Sequence, residues 1–451
     1  MTRLLFFFLA AALCSAQESA ADLSRQVSEL RDLVLKLQTR IDDLERRSAP
    51  PALPAAREAP KEVVIAATTP APSPPAPSAA AELWQDTTIN FTVDGYYAYN
   101  FNSPIGRTNL LRAYDVSSNS FSLNQADLII ENAADASAGK HWGARLDLQF
   151  GQATQTLQGN AANEPRPEIY RNVFQAYGTW APNTHLTVDF GKWSSSIGLE
   201  GNYSKDQINY SRSFWFDFLP FYHMGVRAAY KVNSALTLNY WLDNGTQQTE
   251  AFNGFKDELF GFALQPRKTV SWTVNYYLGQ EHPDVVYYPY TSPPGLPTNQ
   301  GVSFSPIVNP PKGKTHIFDS YATWTPTDRW TLAAEADDVI QRDEVNSAPF
   351  HTVGGALYAR YQLTPKFALA ARGEYLSDHG GLYTGVWQQL KEVTLTTEYK
   401  VAAGFIARIE WRRDVSNYPY FLTDTLNLLG KHQTTATMGV IWWFGKKTGS
   451  W

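Results

Sequence analysis

Cysteine is nearly absent from this chain: its 451 residues hold one, Cys14, close to the N-terminus. Beyond residue 16 no stretch approaches the roughly 20 apolar residues that a membrane-spanning helix needs. Neither sign of charge is in excess. Lys and Arg total 38 against 43 Asp and Glu, for a net charge of −5, so there is no basic face for nucleic acid and no acidic tail for a basic partner. The eight His are scattered, and none stands at metal-ligand spacing from another. Phosphate-cradling glycine loops, a zinc-binding His-Glu-x-x-His and a nucleophile-elbow Gly-x-Ser-x-Gly are all missing. No catalytic residue, cofactor or metal ligand is therefore expected.

Aromatic residues, in contrast, are abundant at 14%, with 14 Trp and 24 Tyr. Large amphipathic rings gather where one end is dry and the other wet, as at a bilayer interface. Carbohydrate-binding β-proteins share that excess, so the rings alone do not decide between the two.

The first residues read as an export signal: Arg3 supplies positive charge, Leu4 to Leu13 is an unbroken apolar run, and Cys14-Ser15-Ala16 offers small residues before a cut. Cleavage after Ala16 leaves a mature chain without cysteine. A lipoprotein reading of Cys14 is the alternative, but Leu13 is bulky where lipid-modification signals want a small residue. An exported chain without a spanning helix is periplasmic, secreted, or a barrel in the outer membrane.

Residues 17–47 hold the clearest helix. Leu23, Val27, Leu30, Val34, Leu37, Ile41 and Leu44 alternate spacings of four and three, which is the core seam of a coiled coil. Charged residues fill most outer positions, so self-association is expected. β-branched residues alternating with Leu favour a dimer, whereas Arg40-Ile41-Asp42-Asp43-Leu44-Glu45 resembles a motif of three-stranded coils, and a homotrimer is preferred. Residues 48–82 are a linker: nine prolines and many alanines cannot bury enough surface to fold and form a semi-rigid spacer.

From residue 83 to the end the pattern changes to period two. Ile89, Phe91, Val93, Tyr97 and Tyr99 alternate with Asn90, Thr92, Asp94, Ala98 and Asn100, and Phe405, Ala407, Ile409 and Trp411 with Ile406, Arg408, Glu410 and Arg412. Such runs reach the roughly 9 to 11 residues that cross a bilayer at a tilt, longer than most strands of soluble sandwiches. About 16 strands are expected. Tight turns at 181–184, 232–235, 326–329, 364–366 and 401–404 alternate with long polar segments at 102–118, 153–167, 196–220, 281–313 and 417–432. That layout predicts an all-β transmembrane antiparallel barrel of the outer-membrane kind, with both ends on the short-turn, periplasmic side. Gly439, Trp442 and Phe444 in the last strand resemble the terminal pattern read by the barrel-assembly machinery. Residues 446–451 extend past it, with Trp451 restoring a terminal aromatic.

Four stretches resemble the OmpL-like β-barrel porin family: VDGYYAYNFN (93–102), NSFSLNQAD (119–127), NYSRS (209–213) and PFYHMGVR (220–227). The resemblance runs over most of the barrel and leaves out the stalk and linker. It implies a pore through the outer membrane without naming a solute.

In 16-stranded porins the third long loop commonly folds inward, so by analogy Glu200, Lys205, Asp206 and Arg212 are constriction candidates. Their mixed charge would set a transverse field across the channel. Alternation places Asp94, Arg145, Asp147, Asp189, Arg227, Glu335, Asp337, Arg360, Arg372, Glu374, Glu398, Arg408, Glu410 and Arg412 on the lumen side. Arg360, Arg372, Arg408 and Arg412 would form a basic wall, or else pair with neighbouring acids and brace it. Two functions follow as expectations: passive diffusion of small polar solutes or ions, or a structural barrel whose stalk ties the outer membrane to the cell wall. Expected partners are outer-membrane lipid, further copies of the chain, the assembly machinery and, through the stalk, the cell wall.

Overall fold

The computed structural model describes residues 86–158, 164–288, 298–299, 302–447 and 449–451. The expected leader (1–16), coiled coil (17–47) and linker (48–82) lie outside the described residues.

Sixteen strands form one closed antiparallel barrel. They are β1 (Thr88–Asn100), β2 (Ser120–Asn132), β3 (Trp142–Phe150), β4 (Val173–Trp180), β5 (Leu186–Ser194), β6 (Tyr222–Lys231), β7 (Leu236–Asp243) and β8 (Asp257–Arg267). The second half comprises β9 (Val270–Gly279), β10 (Thr315–Thr327), β11 (Trp330–Gln341), β12 (Phe350–Thr364), β13 (Phe367–His379), β14 (Gln388–Ala402), β15 (Phe405–Ser416) and β16 (His432–Gly445). Each strand pairs with its sequence neighbours. The last pairs with the first, from Asn90↔Gly445 to Asn100↔Thr435, so no edge is left open.

Connections alternate in length, as the breaks in the sequence predict. One end carries loops at 101–119, 151–172, 195–221, 244–256, 280–314, 342–349, 380–387 and 417–431; the other carries mostly tight turns. Three of those loops (244–256, 342–349 and 380–387) escape the sequence reading; they are the shortest on that end. The nine-residue connection 133–141 on the turn side escapes it too, though an Asp135-capped 3₁₀ turn tightens it.

Burial inverts the rule for soluble proteins. In β15 Arg408, Glu410, Arg412 and Asp414 are buried while Ile409, Trp411 and Val415 are exposed. The outward set is what hydrocarbon requires, since every backbone polar group is already satisfied by the ladder. Rings border this surface at two levels. Near the turns Trp142 stacks with Trp180 (6.2 Å between centroids) and Trp330 meets Tyr361 (4.7 Å). Towards the loops Tyr97 meets Phe121 and Tyr276 meets Phe318, both at 4.8 Å. These are the two girdles of a barrel in a bilayer.

The inner face is less polar than alternation alone predicts. Trp193, Trp241, Leu259, Ile317, Val339, Leu376 and Leu390 are buried with Ile197, Phe214, Trp215 and Leu219 in one apolar cluster. The reason lies in the loop 195–221, which brings its own apolar side chains inside for the wall to cover.

Candidate functional site: the loop across the bore

Loop 195–221, hereafter L3, is the third of the long loops. Its sequence supplies two local structures, a 3₁₀ turn at Ser204–Asp206 and a short helix at Phe214–Phe218. Ser213 caps that helix, its Oγ accepting from the Phe216 N–H at 3.0 Å. The rest of L3 has no regular structure, so its backbone groups need partners elsewhere. The barrel wall supplies them.

Carboxylates on the wall accept from L3 amides. Glu410 takes the Tyr210 N–H (2.7 Å) and the Ser211 N–H (3.0 Å). Glu374 takes those of Phe214 (2.9 Å) and Trp215 (3.0 Å), at the positive end of the short helix. Glu335 takes that of Leu199 at 2.7 Å.

Guanidiniums on the wall donate to L3 carbonyls. Arg408 reaches the oxygens of Ser204 (2.9 Å), Gln207 (2.6 Å) and Asn209 (3.2 Å). Arg372 reaches those of Ser211 (2.8 Å) and Arg212 (3.1 Å), and Arg412 also reaches the Arg212 carbonyl. Further round the wall, Asp94 on β1 accepts from the Tyr210 hydroxyl at 2.8 Å, and Asp147 on β3 accepts from the Tyr203 hydroxyl. A segment that leaves β5, returns to β6 and is bonded to an arc of wall from β11, β13 and β15 round to β1 and β3 lies across the bore.

Glycine makes one of these contacts fit. Gly439 of β16 faces inward, and a Cβ there would stand 2.3 Å from the Tyr210 ring. This residue belongs to the terminal pattern noted in the sequence, and here it also makes room for L3. Trp442 and Phe444 of the same pattern point outward. Trp451 does not extend that outward row. Its backbone N–H donates to Asp206 (3.0 Å) and its ring stands 6.0 Å from that of Tyr203, so the tail touches L3 instead.

The constriction candidates are all on this loop, and the structure gives each a partner. Glu200 pairs with Arg372 at 2.9 Å and Lys205 with Asp206 at 2.6 Å. Arg212 is buried, donating to the carbonyls of Gly201 (3.1 Å), Asn202 (2.8 Å) and Tyr210 (2.9 Å). Glu200, Lys205 and Asp206 thus each meet an opposite charge, whereas Arg212 is held by carbonyl oxygens alone. Burial lowers the Lys205 ammonium from the ordinary lysine value, with Asp206 opposing. Burial likewise pushes the Asp217 carboxyl up to about 6 against the pull of Arg412 and Arg112.

Most of the other charged wall residues pair with one another, Asp337 being an exception. Arg145 holds Asp147 (2.9 Å), Arg227 holds Asp189 (2.7 Å), and Arg360 and Arg408 both hold Glu398 (2.7 Å each). Arg372 holds Glu392 at 3.0 Å and Arg412 holds Asp414 at 2.8 Å. The four arginines therefore do not make a bare basic wall. Glu392 and Asp319 also face the lumen; the alternation of their strands marks both, although the sequence reading passes over them. Arg112 is different: it sits in the first loop, 2.7 Å from Asp414, and nothing in a polar loop's sequence singles it out.

Cavities lie on the turn side of L3. One of about 570 Å³ is lined by Lys205, Arg360, Glu398, Lys400 and Arg408, and another of about 170 Å³ by Thr187, Asp189, Arg227 and Asn239. Both carry charges of each sign.

With the closed barrel and its inward loop established, comparison with known proteins decides the kinship. The model of the beta-barrel porin-2, OmpL-like family matches residues 86–444. The chain belongs to that family. This porin-family barrel also resembles solved outer-membrane structures. The outer-membrane channel DcaP of Acinetobacter baumannii is 9% identical with a TM-score of 0.50, covering 79% of this chain and 97% of that one. The anion-selective porin from Comamonas acidovorans is 9% identical with a TM-score of 0.48, covering 79% and 99%. The trimer form of Vibrio cholerae OmpT, an outer membrane protein, is 11% identical with a TM-score of 0.46, covering 79% and 99%. At such identities the likeness concerns the fold alone. No curated protein matches the chain.

Proposed function

We propose that this barrel is an outer-membrane channel for passive diffusion of small polar solutes or ions, narrowed by L3. The observation that carries the reading is the clamping of L3 across the bore by Glu335, Arg372, Glu374, Arg408 and Glu410, with charged cavities beside it. A barrel serving only as a membrane anchor would have no need to hold a loop so firmly at mid-bore. The constriction candidates then act by fixing the loop's path, while Arg360, Lys400 and Glu398 face the solute on the periplasmic side. Pairs of opposite charge there favour polar, hydrated solutes over apolar ones.

The test is conductance in planar bilayers together with swelling of liposomes in sugars, amino acids and anions. The folded protein is expected to give discrete conductance steps, and replacing residues 200–216 with a short Gly-Ser link is expected to raise them several-fold. Silent bilayers with correctly folded protein would overturn the channel reading and leave a stalk tethering the membrane to the cell wall.

The same proposal covers the N-terminal region. After removal of residues 1–16, residues 17–47 associate as a three-stranded coil in the periplasm, joined by the 48–82 spacer to the pore domain. The heptad seam from Leu23 to Leu44 supports this. A peptide of residues 17–47 is expected to sediment as a helical trimer; a monomer would remove the stalk from the assembly.

A further inference from the structure

Most buried carboxylates in the bore have a cationic partner or a set of amide donors. Three neighbours on β10 and β11 do not follow that rule. Asp319 and Asp337 stand directly opposite each other in the strand pair, an arrangement of like charges that ordinarily destabilises a sheet. Glu335 is the next inward position along from Asp337. All three are buried, and one oxygen from each lies within 4.8 Å of the other two.

Their partners are few. Asp319 Oδ2 accepts from Asn275 Nδ2 at 2.7 Å. Glu335 Oε1 accepts from the Leu199 amide at 2.7 Å and Oε2 from the Tyr358 hydroxyl at 3.2 Å. Asp319 Oδ1 and both oxygens of Asp337 are buried and receive no N–H or O–H in good hydrogen-bond geometry; the two carboxyls face each other, with the Gly198 amide near Asp319. Among the described residues no Lys, Arg or His forms an ion pair with any of the three. Three buried acids with three oxygens short of a well-placed donor and no counter-charge lack the compensation that buried charge requires.

We infer that Asp319, Glu335 and Asp337 form a binding site for a hard divalent cation of the calcium class, where L3 enters the bore. An all-oxygen, all-carboxylate set is what such ions take, and calcium–oxygen bonds of about 2.3–2.6 Å put ligands on opposite sides of the ion about 4.6–5.2 Å apart. The three oxygens, all within 4.8 Å of one another, fall inside that limit. Calcium accepts irregular geometry, whereas magnesium demands a near-ideal octahedron, so a cluster built on a flat strand pair favours calcium.

The site sits under L3. Gly198, at φ +91°, passes so close that a Cβ would stand 3.2 Å from Glu335 Oε1, and the Ser196 carbonyl accepts from Asn275 (3.1 Å) and Tyr321 (3.2 Å). A cation here would fasten the first turn of L3 to β9, β10 and β11. It complements the arginine clamp, which holds the loop's later part. Histidine spacing in the sequence points to no metal; this cluster is made by strand register, which a linear motif does not show.

Calorimetry on the full chain tests the site. Protein folded in detergent and stripped with chelator is expected to bind one calcium ion per chain, with a Kd of about 10⁻⁴ to 10⁻³ M, the range of extracellular calcium modules. Asp337→Asn, which keeps shape and removes charge, is expected to lose the isotherm while still showing the heat-modifiable gel mobility of a folded barrel. Should that variant not fold, Glu335→Gln, which keeps an acceptor for Leu199, is expected to weaken binding at least tenfold. Stripped wild-type protein that takes up no calcium, or a folded Asp337→Asn that takes it up as the wild type does, would overturn the site. Binding is read directly, so the result stands whether or not the barrel conducts.

Discussion

Replacing Arg372 with alanine is expected to release L3 from the wall while leaving the barrel closed. The guanidinium is buried and serves four partners at once: the carboxylates of Glu392 and Glu200 and the carbonyls of Ser211 and Arg212. Truncation takes the nearest cation from two buried carboxylates, leaving Glu200 with the Ser213 amide (2.6 Å) and Glu392 with Arg412 at 3.8 Å. Removing one partner of a buried ion pair costs about 3–5 kcal/mol, more than the few hydrogen bonds holding the middle of L3 can each supply. Strand β13 itself keeps its full ladder to β12 and β14, so the damage stays in the loop. Limited proteolysis should then cut within 200–216, where the wild type is protected, and single-channel conductance should rise with broader noise. Arg372→Lys should be intermediate, because an ammonium is a single point charge and cannot serve carboxylates and carbonyls in a planar fork. An Arg372→Ala barrel with a protease-resistant L3 would show that Glu410 and Glu374 suffice as clamps.

The barrel itself is legible in the sequence for a physical reason. Lipid on one side and polar contents on the other impose strict alternation, so Ile409 and Trp411 between Arg408, Glu410 and Arg412 report both the strand and its faces. The alternation of short turns with long polar loops then sets the orientation, and counting those loops from the N-terminus is enough to find L3 at 196–220. What alternation cannot report is what an inward side chain touches. Arg408 and Arg372 look alike in sequence, yet each bonds a different set of L3 carbonyls, and those contacts join residues some 160 to 200 positions apart. Inward apolar residues such as Leu376 and Leu390 break the pattern because L3 gives them apolar partners, a tertiary effect invisible to a period-two count. The Asp319–Asp337 pairing depends on register between β10 and β11, which no single strand encodes.

Introducing a charge on the outer wall should destabilise the fold in proportion to its depth. Leu357 lies at the middle of β12, paired with Ala334 and Gly373, and is 69% exposed while its neighbour Tyr358 is 3% exposed on the inside. In water an exposed leucine could become arginine at little cost. In hydrocarbon the same change is expected to destabilise by about 2–4 kcal/mol, the value for a basic residue near the bilayer midplane. Val401, also outward but one residue from the end of β14, should tolerate arginine at about 0–1 kcal/mol, because its side chain can reach the interface. Reversible urea unfolding from lipid vesicles measures both. The difference between the two positions is the informative quantity, since it cancels the loss of leucine or valine packing that each substitution shares. Equal effects at Leu357 and Val401 would mean that the outward face does not meet a bilayer of the assumed placement, and the two aromatic girdles would then need another explanation.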